Sequence, residues 1–218
     1  MGKNKLLDSI VGIPCVFWDF DGVIKDSIEA KTNAFRFIFS NSKEGVIKKI
    51  ISHHQENGGM SRYEKIPLYL QWSGLRYDKN NVENYCNQFS TFAKKMVIDS
   101  PWVDGARDFI EKRHNQGLLN IIVTATPQNE IEDIIDTLQI KKMFTGVYGS
   151  PLNKTNSLKF ALAEKKIDYD KSIMVGDAKT DYGAARDNKV KFILRETEFN
   201  RNLQELCKGR IINNFIYE

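Results

Sequence analysis

The sequence of 218 residues contains no apolar run close to the ~20 residues that a membrane-spanning helix needs. The charged residues near its start are not followed by the apolar core of a signal peptide, and Leu6 misses the myristoylation pattern. The 32 basic and 28 acidic residues leave a net charge of only +4, which indicates neither a nucleic acid nor an anionic membrane as partner. We therefore predict no membrane span and no nucleic-acid-binding function.

Cysteine is also scarce, with Cys15, Cys86 and Cys207 far apart in the chain. An odd number without paired spacing indicates neither a disulfide framework nor a thiolate metal site, so we expect reduced, buried thiols in a cytoplasmic protein. The hydrophobic share of 41% and the charged share of 28% are ordinary for a globular protein. The length is sufficient for one core domain and a smaller second domain.

Apolar segments of strand length alternate with helical patterns along much of the chain. Strands are predicted at residues 15–20, 118–123, 144–148, 172–175 and 190–194. This alternation predicts the α/β class, with a Rossmann-like, doubly wound parallel sheet that has helices on both faces. The first 13 residues have no strong pattern and are expected only to lead into the first strand.

A long helical region follows directly after the first strand. Residues 26–100 have helical spacing throughout, and Ser61 with Glu64 three positions later is typical of a helix start. We therefore predict an α/β core domain formed by residues 1–25 and 101–218, with an all-helical domain inserted at residues 26–100.

Asp19 and Asp21 end the first predicted strand, with Phe20 between them and Gly22 after them. A continuing strand would place both carboxylates on one face. Two carboxylates at such a short distance repel each other unless a cation or a proton lies between them. A solvated turn with two incidental aspartates is the alternative, because Asp and Gly are common turn residues.

Further polar residues follow the later strands. Because ligands of open α/β sheets bind at the carboxyl ends of the strands, these side chains are expected to meet at one edge. Carboxylates there favour Mg²⁺, while a hydroxyl and an ammonium suit the oxygens of a phosphoryl group. Taken singly, each also fits a structural role, as a strand end, a surface lysine or a helix cap. The residues are Thr124, Lys154, Asp177 and Asp181.

The order of these motifs resembles that of one family. Asp-x-Asp-Gly-Val, a strand ending in Thr, a Lys and Gly-Asp-x-x-x-Asp are similar to the motifs of the haloacid dehalogenase-like superfamily, in its phosphoglycolate phosphatase-like and β-phosphoglucomutase-like branch. The resemblance covers nearly the whole chain and includes a helical cap at residues 26–100. It implies a Mg²⁺-dependent phosphatase that hydrolyses a small phosphorylated metabolite, such as a sugar phosphate or a phosphoglycolate-like compound.

For the two aspartates of the first motif, the resemblance implies different roles. Asp19 would be the nucleophile that becomes an aspartyl phosphate, and Asp21 would protonate the leaving oxygen and then deprotonate the attacking water. A free Asp has a pKa near 3.9, so an Asp that donates a proton at neutral pH needs a raised pKa. We expect repulsion from Asp19 to raise the pKa of Asp21, while Mg²⁺ keeps Asp19 ionised.

For the later motifs, the resemblance implies that Thr124 and Lys154 hold the phosphoryl oxygens. Thr126 lies close by in the sequence but is given no catalytic role. The metal ligands implied are Asp19, Asp177 and the backbone carbonyl of Asp21, supported by Asp181.

Three alternatives stay open at this point. Asp21 favours phosphate-ester chemistry over dehalogenation, but a phosphosugar mutase uses the same residues and differs only in shielding the phosphoenzyme from water. A phosphoacceptor signalling domain is more remote, because it would lack the Asp-x-Asp motif and the helical insert. A phosphonate-cleaving enzyme that uses Lys25 or Lys31 as a Schiff-base lysine is also remote.

Substrate choice is expected to depend on the loop at residues 52–65 of the helical region. Its two glycines would let the backbone approach a ligand closely, and two cations on one helix face could meet a second anionic group. A turn followed by a solvated helix start is the alternative. The two histidines of the loop are not predicted to bind metal, and the oligomeric state stays open. The candidate substrate-binding residues are Gly58, Gly59, Arg62 and Lys65.

Overall fold

The computed structural model describes residues 2–217 and contains a six-stranded parallel sheet in the order β3-β2-β1-β4-β5-β6. The strands β2 and β4 lie on opposite sides of β1, so the strand order reverses at β1 and opens a crevice there. The strands are β1 Cys15–Trp18, β2 Leu119–Pro127, β3 Gly146–Ser150, β4 Ser172–Gly176, β5 Lys191–Arg195 and β6 Ile211–Ile212.

Helices connect the strands. Four of them, which lie between β1 and β2 in the sequence, form a separate layer. None of the helices in residues 2–217 combines the length and the apolar character needed to cross a membrane. The helices are α1 Lys3–Gly12, α2 Ile28–Ile38, α3 Glu44–Glu56, α4 Arg62–Trp72, α5 Lys79–Asp99, α6 Ala106–Asn115, α7 Gln128–Thr137, α8 Lys154–Glu164, α9 Lys179–Asp187 and α10 Arg201–Leu206.

Both faces of the sheet are covered, which explains why the strands are apolar without alternation. All four residues of β1 are buried. Val16 and Trp18 belong to an apolar cluster that includes residues of α1, α6 and α7. Cys15 and Phe17 belong to a second cluster, which includes residues of α8, α9 and α10. The predicted doubly wound α/β fold is therefore confirmed.

Residues 2–13 are more ordered than we predicted, because they contain α1. This helix buries Leu6, Leu7 and Ile10. The buried guanidinium of Arg113 on α6 donates to the backbone carbonyl of Ile10 and, at 3.0 Å each, to those of Val11 and Ile13. A distant side chain therefore completes the end of α1, and no local signal in the sequence reports such a contact.

The second strand extends beyond the predicted end at residue 123. Its pairing with β3 is regular up to Val123 and resumes at Pro127, with a shift in register between them. Within this irregular segment, the N–H of Thr126 donates to Oγ1 of Thr124 at 3.2 Å. The irregularity re-aims side chains at the end of the strand, as β-bulges near functional sites commonly do.

The helices α2 to α5 pack around an apolar cluster of their own. Phe35 of α2 lies at its centre, with its ring 5.3 Å from that of Tyr69 and 4.2 Å from that of Phe89. The chain enters and leaves this layer through adjacent segments, since the N–H of Asp26 donates to the carbonyl of Pro101 at 2.9 Å. The division into a core and an inserted cap domain stays a prediction, which this packing supports.

Candidate active site

A cavity of about 50 Å³ lies between the carboxyl ends of the central strands and the helical layer. This is several times the ~10–15 Å³ that one buried water needs. Nine of the predicted site residues line it, while Asp181 lies fully buried behind them. We call Asp19, Asp21, Thr124, Lys154 and Asp177 the strand-end wall. We call His54, Gly58, Gly59, Arg62 and Lys65, which come from α3, α4 and the loop between them, the helical wall.

Asp19 follows directly after β1, and its backbone is held by an N–H that donates to the carbonyl of Val175 at 3.0 Å. One carboxylate oxygen accepts a hydrogen bond of 2.7 Å from the N–H of Phe20, and the other lies 2.6 Å from Nζ of Lys154. Burial and the nearby carboxylate of Asp181 raise the pKa of Asp19 to about 7, although Lys154 acts in the opposite direction.

Lys154, the first residue of α8, lies between two carboxylates. Its Nζ is 2.6 Å from Asp19 and 2.6 Å from Asp181. Burial alone would lower the pKa of Lys154, but the charges and hydrogen bonds of Asp181 and Asp19 outweigh it and raise that pKa. The lysine is therefore held in its charged form at the base of the cavity.

Three buried carboxylates, those of Asp19, Asp177 and Asp181, offer oxygens that all lie within 4.8 Å of one another. Burial, followed by repulsion from Asp19 and Asp181, raises the pKa of Asp177 well above its usual range. One lysine does not balance three such charges, so the cluster favours either a bound proton or a further cation. Its oxygen donors suit a hard divalent cation such as Mg²⁺.

Gly22 permits this close arrangement in two ways. Its φ of +78° lies in the left-handed region, which residues with a Cβ rarely adopt. A Cβ on Gly22 would also lie 2.4 Å from a carboxylate oxygen of Asp177. The glycine that follows the two aspartates is therefore required for the approach of the β4 end to the β1 end.

Asp21 points to a different set of partners. Its carboxylate accepts hydrogen bonds from the Ser27 hydroxyl at 2.7 Å and the Thr126 hydroxyl at 3.2 Å, and it forms an ion pair with Lys31. Burial would raise the pKa of Asp21, but Lys31 and these hydrogen bonds outweigh it, so that pKa is lowered. The expectation of a raised pKa was therefore wrong, because a lysine on α2 compensates the charge and the effect of Asp19 is smaller.

The side chain of Asp21 does not belong to the three-carboxylate cluster, so only its backbone carbonyl stays a candidate metal ligand. Thr124 is almost fully buried on the strand-end wall. Its hydroxyl accepts the N–H of Thr126, which leaves its own proton free to be donated elsewhere.

The helical wall reaches the strand ends at its glycines. A Cβ on Gly59 would lie 1.8 Å from Oγ1 of Thr180 at the start of α9, so any larger residue would require the Thr180 side chain to move. Gly58 has no such neighbour within 4 Å. Gly59 therefore lies close to the start of α9, and the predicted approach of its backbone to a ligand stays a prediction.

Arg62 and Lys65 differ in their surroundings although they share one face of α4. The Arg62 guanidinium donates to both carboxylate oxygens of Glu130 on α7, at 2.8 and 2.6 Å, and to the Ser90 hydroxyl at 2.6 Å. It also lies 4.5 Å from the ring centre of Phe89. Arg62 therefore connects α4 and α5 to α7, and its charge is already compensated.

Lys65 is buried and lies 2.9 Å from Nδ1 of His54, whose ring packs 4.8 Å from that of Phe35. Burial, followed by the positive charge of Lys31, lowers the pKa of Lys65 to about 7. Burial and Lys65 likewise hold the pKa of His54 well below its usual range. The Nε2 atom of His54 has no hydrogen-bonding partner within residues 2–217.

Comparison with known proteins decides the family. A model of the haloacid dehalogenase-like hydrolases matches residues 16–195. The chain belongs to this family. The residues matched include both walls of the cavity and all four motifs of the sequence.

Individual relatives of this hydrolase agree with the assignment. A phosphoglycolate phosphatase from Pseudomonas fluorescens is 26% identical over 117 residues, which is 50% of this chain and 43% of that protein. The match thus spans less than half the length of this curated relative.

Solved structures of the family share the fold. CbbY from Rhodobacter sphaeroides, in complex with xylulose 1,5-bisphosphate, has a TM-score of 0.76 and 13% identity over 93% of this chain and 95% of its own. A haloacid dehalogenase-like hydrolase from Streptococcus pneumoniae has a TM-score of 0.71 and 20% identity, with coverage of 93% and 95%.

Sequence reasoning named Lys31 and Thr126 but did not place either of them beside Asp21 in this hydrolase. Nζ of Lys31 also lies 3.0 Å from Oγ1 of Thr126, so the three side chains form one network. A signal for Lys31 existed, because Ser27 and Lys31 are four residues apart and therefore share a helix face directly after the motif. No comparable signal existed for Thr126, because its contact with Asp21 depends on the irregular end of β2.

Proposed function

We propose that this hydrolase is a Mg²⁺-dependent phosphatase, which transfers the phosphoryl group of a small metabolite to Asp19 and then to water. The observation that carries the proposal is the position of Asp19, buried between Lys154 and two further carboxylates at the base of the cavity. A lysine and a hydroxyl beside a carboxylate nucleophile suit the oxygens of a phosphoryl group.

In the first step, a carboxylate oxygen of Asp19 would form a bond to phosphorus while the bond from phosphorus to the ester oxygen breaks. Asp21 would give a proton to the leaving oxygen. In the second step, water would attack phosphorus, Asp21 would take its proton, and the aspartyl phosphate would break to release inorganic phosphate. Lys154 and Thr124 would hold the phosphoryl oxygens in both steps.

The lowered pKa of Asp21 suits the second step, in which it acts as a base. For the first step it needs a proton, and a phosphoryl dianion entering beside it would raise its pKa. Lys31 therefore keeps Asp21 ready to accept a proton, and the charge of the substrate would bring it closer to donating one.

The donor set at the base of the cavity fits Mg²⁺, because three buried carboxylates gather around one lysine. Asp19, Asp177 and the backbone carbonyl of Asp21 would hold the ion, and Asp181 would support them through Lys154 and the N–H of Ala178. When bound, the ion would neutralise part of the phosphoryl charge.

The size of the cavity and the relatives support one substrate class. The cavity of about 50 Å³ has room for a small group, and the relatives named above are a phosphoglycolate phosphatase and a protein that binds a sugar bisphosphate. We therefore propose a sugar phosphate or a phosphoglycolate-like compound, with residues 26–100 as the cap that closes over it. A cytoplasmic location, which the three free cysteines favour, is part of the same proposal.

A screen for phosphate release tests this function. The chain, with Mg²⁺ present, is offered sugar phosphates, phosphoglycolate and nucleotides, and inorganic phosphate is measured. We expect release from small substrates, dependence on Mg²⁺ and loss of release in Asp19→Asn. Isomerisation of a hexose 1-phosphate with little phosphate release would contradict the proposal and favour a mutase.

A further inference from the structure

Four lysine and arginine side chains line the cavity, and three of them have a carboxylate partner. In the part of the chain that the structure describes, the pairs are Lys31 with Asp21, Arg62 with Glu130, and Lys154 with both Asp19 and Asp181. No ion pair within residues 2–217 involves the fourth cation, Lys65.

The partner of Lys65 is neutral. The low pKa of His54 keeps its ring uncharged, so its Nδ1 accepts a hydrogen bond from the ammonium of Lys65 and supplies no negative charge. Glu64, the nearest acid in sequence, is exposed to solvent. A buried ammonium without an anion is costly, which is why burial lowers the pKa of Lys65.

The ammonium of Lys65 therefore lacks an anion to compensate its charge, and it lines the same cavity as the phosphoryl site. An anion placed beside its Nζ would recover the energy lost by burying the charge. Arg62, three residues earlier on the same helix face, cannot have this role because Glu130 already accepts from both of its terminal nitrogens.

We propose that Lys65, supported by His54, binds a second anionic group of the substrate, so that the preferred substrates are small phosphate esters carrying another acidic group near the ester. This inference rests on the proposed phosphatase function and makes it more specific. The second group is a carboxylate or another phosphate, which have in common a negative oxygen that accepts hydrogen bonds from an ammonium.

Two matched pairs of compounds test the inference and separate the two sources of the anion. The first pair is 2-phosphoglycolate and 2-hydroxyethyl phosphate, which differ by a carboxylate in place of a hydroxymethyl group. The second pair is glucose 1,6-bisphosphate and glucose 1-phosphate. For each compound, kcat and KM for phosphate release are measured with Mg²⁺ at one pH, for the unchanged chain and for Lys65→Met.

Lys65→Met keeps most of the side-chain volume and removes a buried amine, so the fold is expected to persist. The matched control is Lys48→Met, which removes the same charge from a cap lysine that is 75% exposed and is not among the residues lining the cavity. His54→Gln is the second variant, since a glutamine oxygen still accepts from Lys65.

The unchanged chain is expected to prefer the more anionic member of at least one pair by about tenfold or more in kcat/KM. Lys65→Met should abolish this preference mainly through KM, while Lys48→Met keeps it and His54→Gln keeps part of it. A preference confined to one pair identifies the anion as a carboxylate or as a phosphate.

Two outcomes would overturn the inference while leaving the phosphatase function intact. One is equal kcat/KM within both pairs, and the other is an equal loss on both members of a pair in Lys65→Met. No phosphate release from any compound would instead contradict the proposed function itself, so the two failures are distinguishable.

Discussion

The two walls of the cavity satisfy their charges in different ways. On the strand-end wall, Asp19 pairs with Lys154 and Asp21 pairs with Lys31, and the charge left over within residues 2–217 is the carboxylate of Asp177. On the helical wall, Lys65 meets only the neutral ring of His54. The strand-end wall thus has an excess of negative charge that a cation would compensate, whereas Lys65 on the helical wall has a positive charge that an anion would compensate.

This difference suggests a division of labour between the walls. A set of acids at the ends of parallel strands, with one lysine at the start of α8, suits a fixed reaction on a phosphoryl group. A cation held on an inserted helical layer suits recognition of whatever else the substrate carries. The predictions below test the strand-end wall, the contact between the layers and the helical wall, from the largest effect to the smallest.

The largest effect is expected for Asp19→Asn on the strand-end wall. An amide is a poor nucleophile, so kcat for phosphate release should fall by about 10³-fold or more. The control is Asp170→Asn, which changes an exposed carboxylate in the same way. Substantial turnover by Asp19→Asn, with circular dichroism showing an intact fold, would refute the assigned nucleophile.

The next effect concerns the contact between the two layers. Glu130→Gln leaves the buried Arg62 guanidinium without its anion, so the free energy of unfolding should fall by about 3 kcal/mol. Denaturant titration measures this change. The matched control is Asp133→Asn, which breaks an exposed ion pair of the same helix α7, that of Asp133 with Lys94 on α5, and should cost at most about 1 kcal/mol.

A third effect distinguishes a cation site from a merely acidic cluster. Asp177→Asn should weaken the apparent affinity for Mg²⁺ by about 100-fold, measured as the concentration dependence of phosphate release. In the presence of a chelator, the same variant should be at least as stable as the unchanged chain, because repulsion from Asp19 and Asp181 is relieved. Asp187→Asn, on the exposed side of α9, serves as control. An unchanged Mg²⁺ dependence would remove Asp177 from the metal site.

The smallest effect concerns stability as a function of pH on the helical wall. The pKa of Lys65 is about 7 in the folded chain and near 10.4 when unfolded, so the unfolded chain binds more protons between these values. Stability from this group therefore rises with pH. The advantage of Lys65→Met over the unchanged chain should shrink by about 2 kcal/mol between pH 7 and pH 9.

Denaturant titrations of both proteins at the two pH values measure this change. The groups that influence Lys65 are His54 and Lys31 on the neighbouring helices, Glu64 beside it, and Asp21 and Lys154 across the cavity. His54 titrates below this range, since its pKa is held well below 6.5. A pH-independent difference would show that Lys65 keeps an ordinary pKa and would remove the contrast between the two walls.

Much of the strand-end wall could be predicted because parallel strands place their carboxyl ends at one edge. The prediction needed only the end of each strand, and an error of a few residues at β2 did not displace Thr124 from the wall. The helix α1 was missed because its buried apolar pattern is limited to Leu6, Leu7 and Ile10, and the contacts at its end come from Arg113, about 100 positions away in the sequence.

The helical wall was predicted less completely for a related reason. Arg62 and Lys65 look equivalent on one face of α4, and helical spacing cannot separate them. They differ only because Glu130, on a helix after β2, reaches Arg62 and leaves Lys65 with His54.

The sequence by itself determined the α/β class, the helical insert and the set of residues at the strand ends, because these depend on local periodicity and on order along the chain. Only the tertiary structure decided how the charges are paired. It turned Asp21 toward Lys31, which lowered a pKa expected to rise, and it left Lys65 without an anion. Charge pairing depends on distances across the fold, and spacing along the chain does not report those distances.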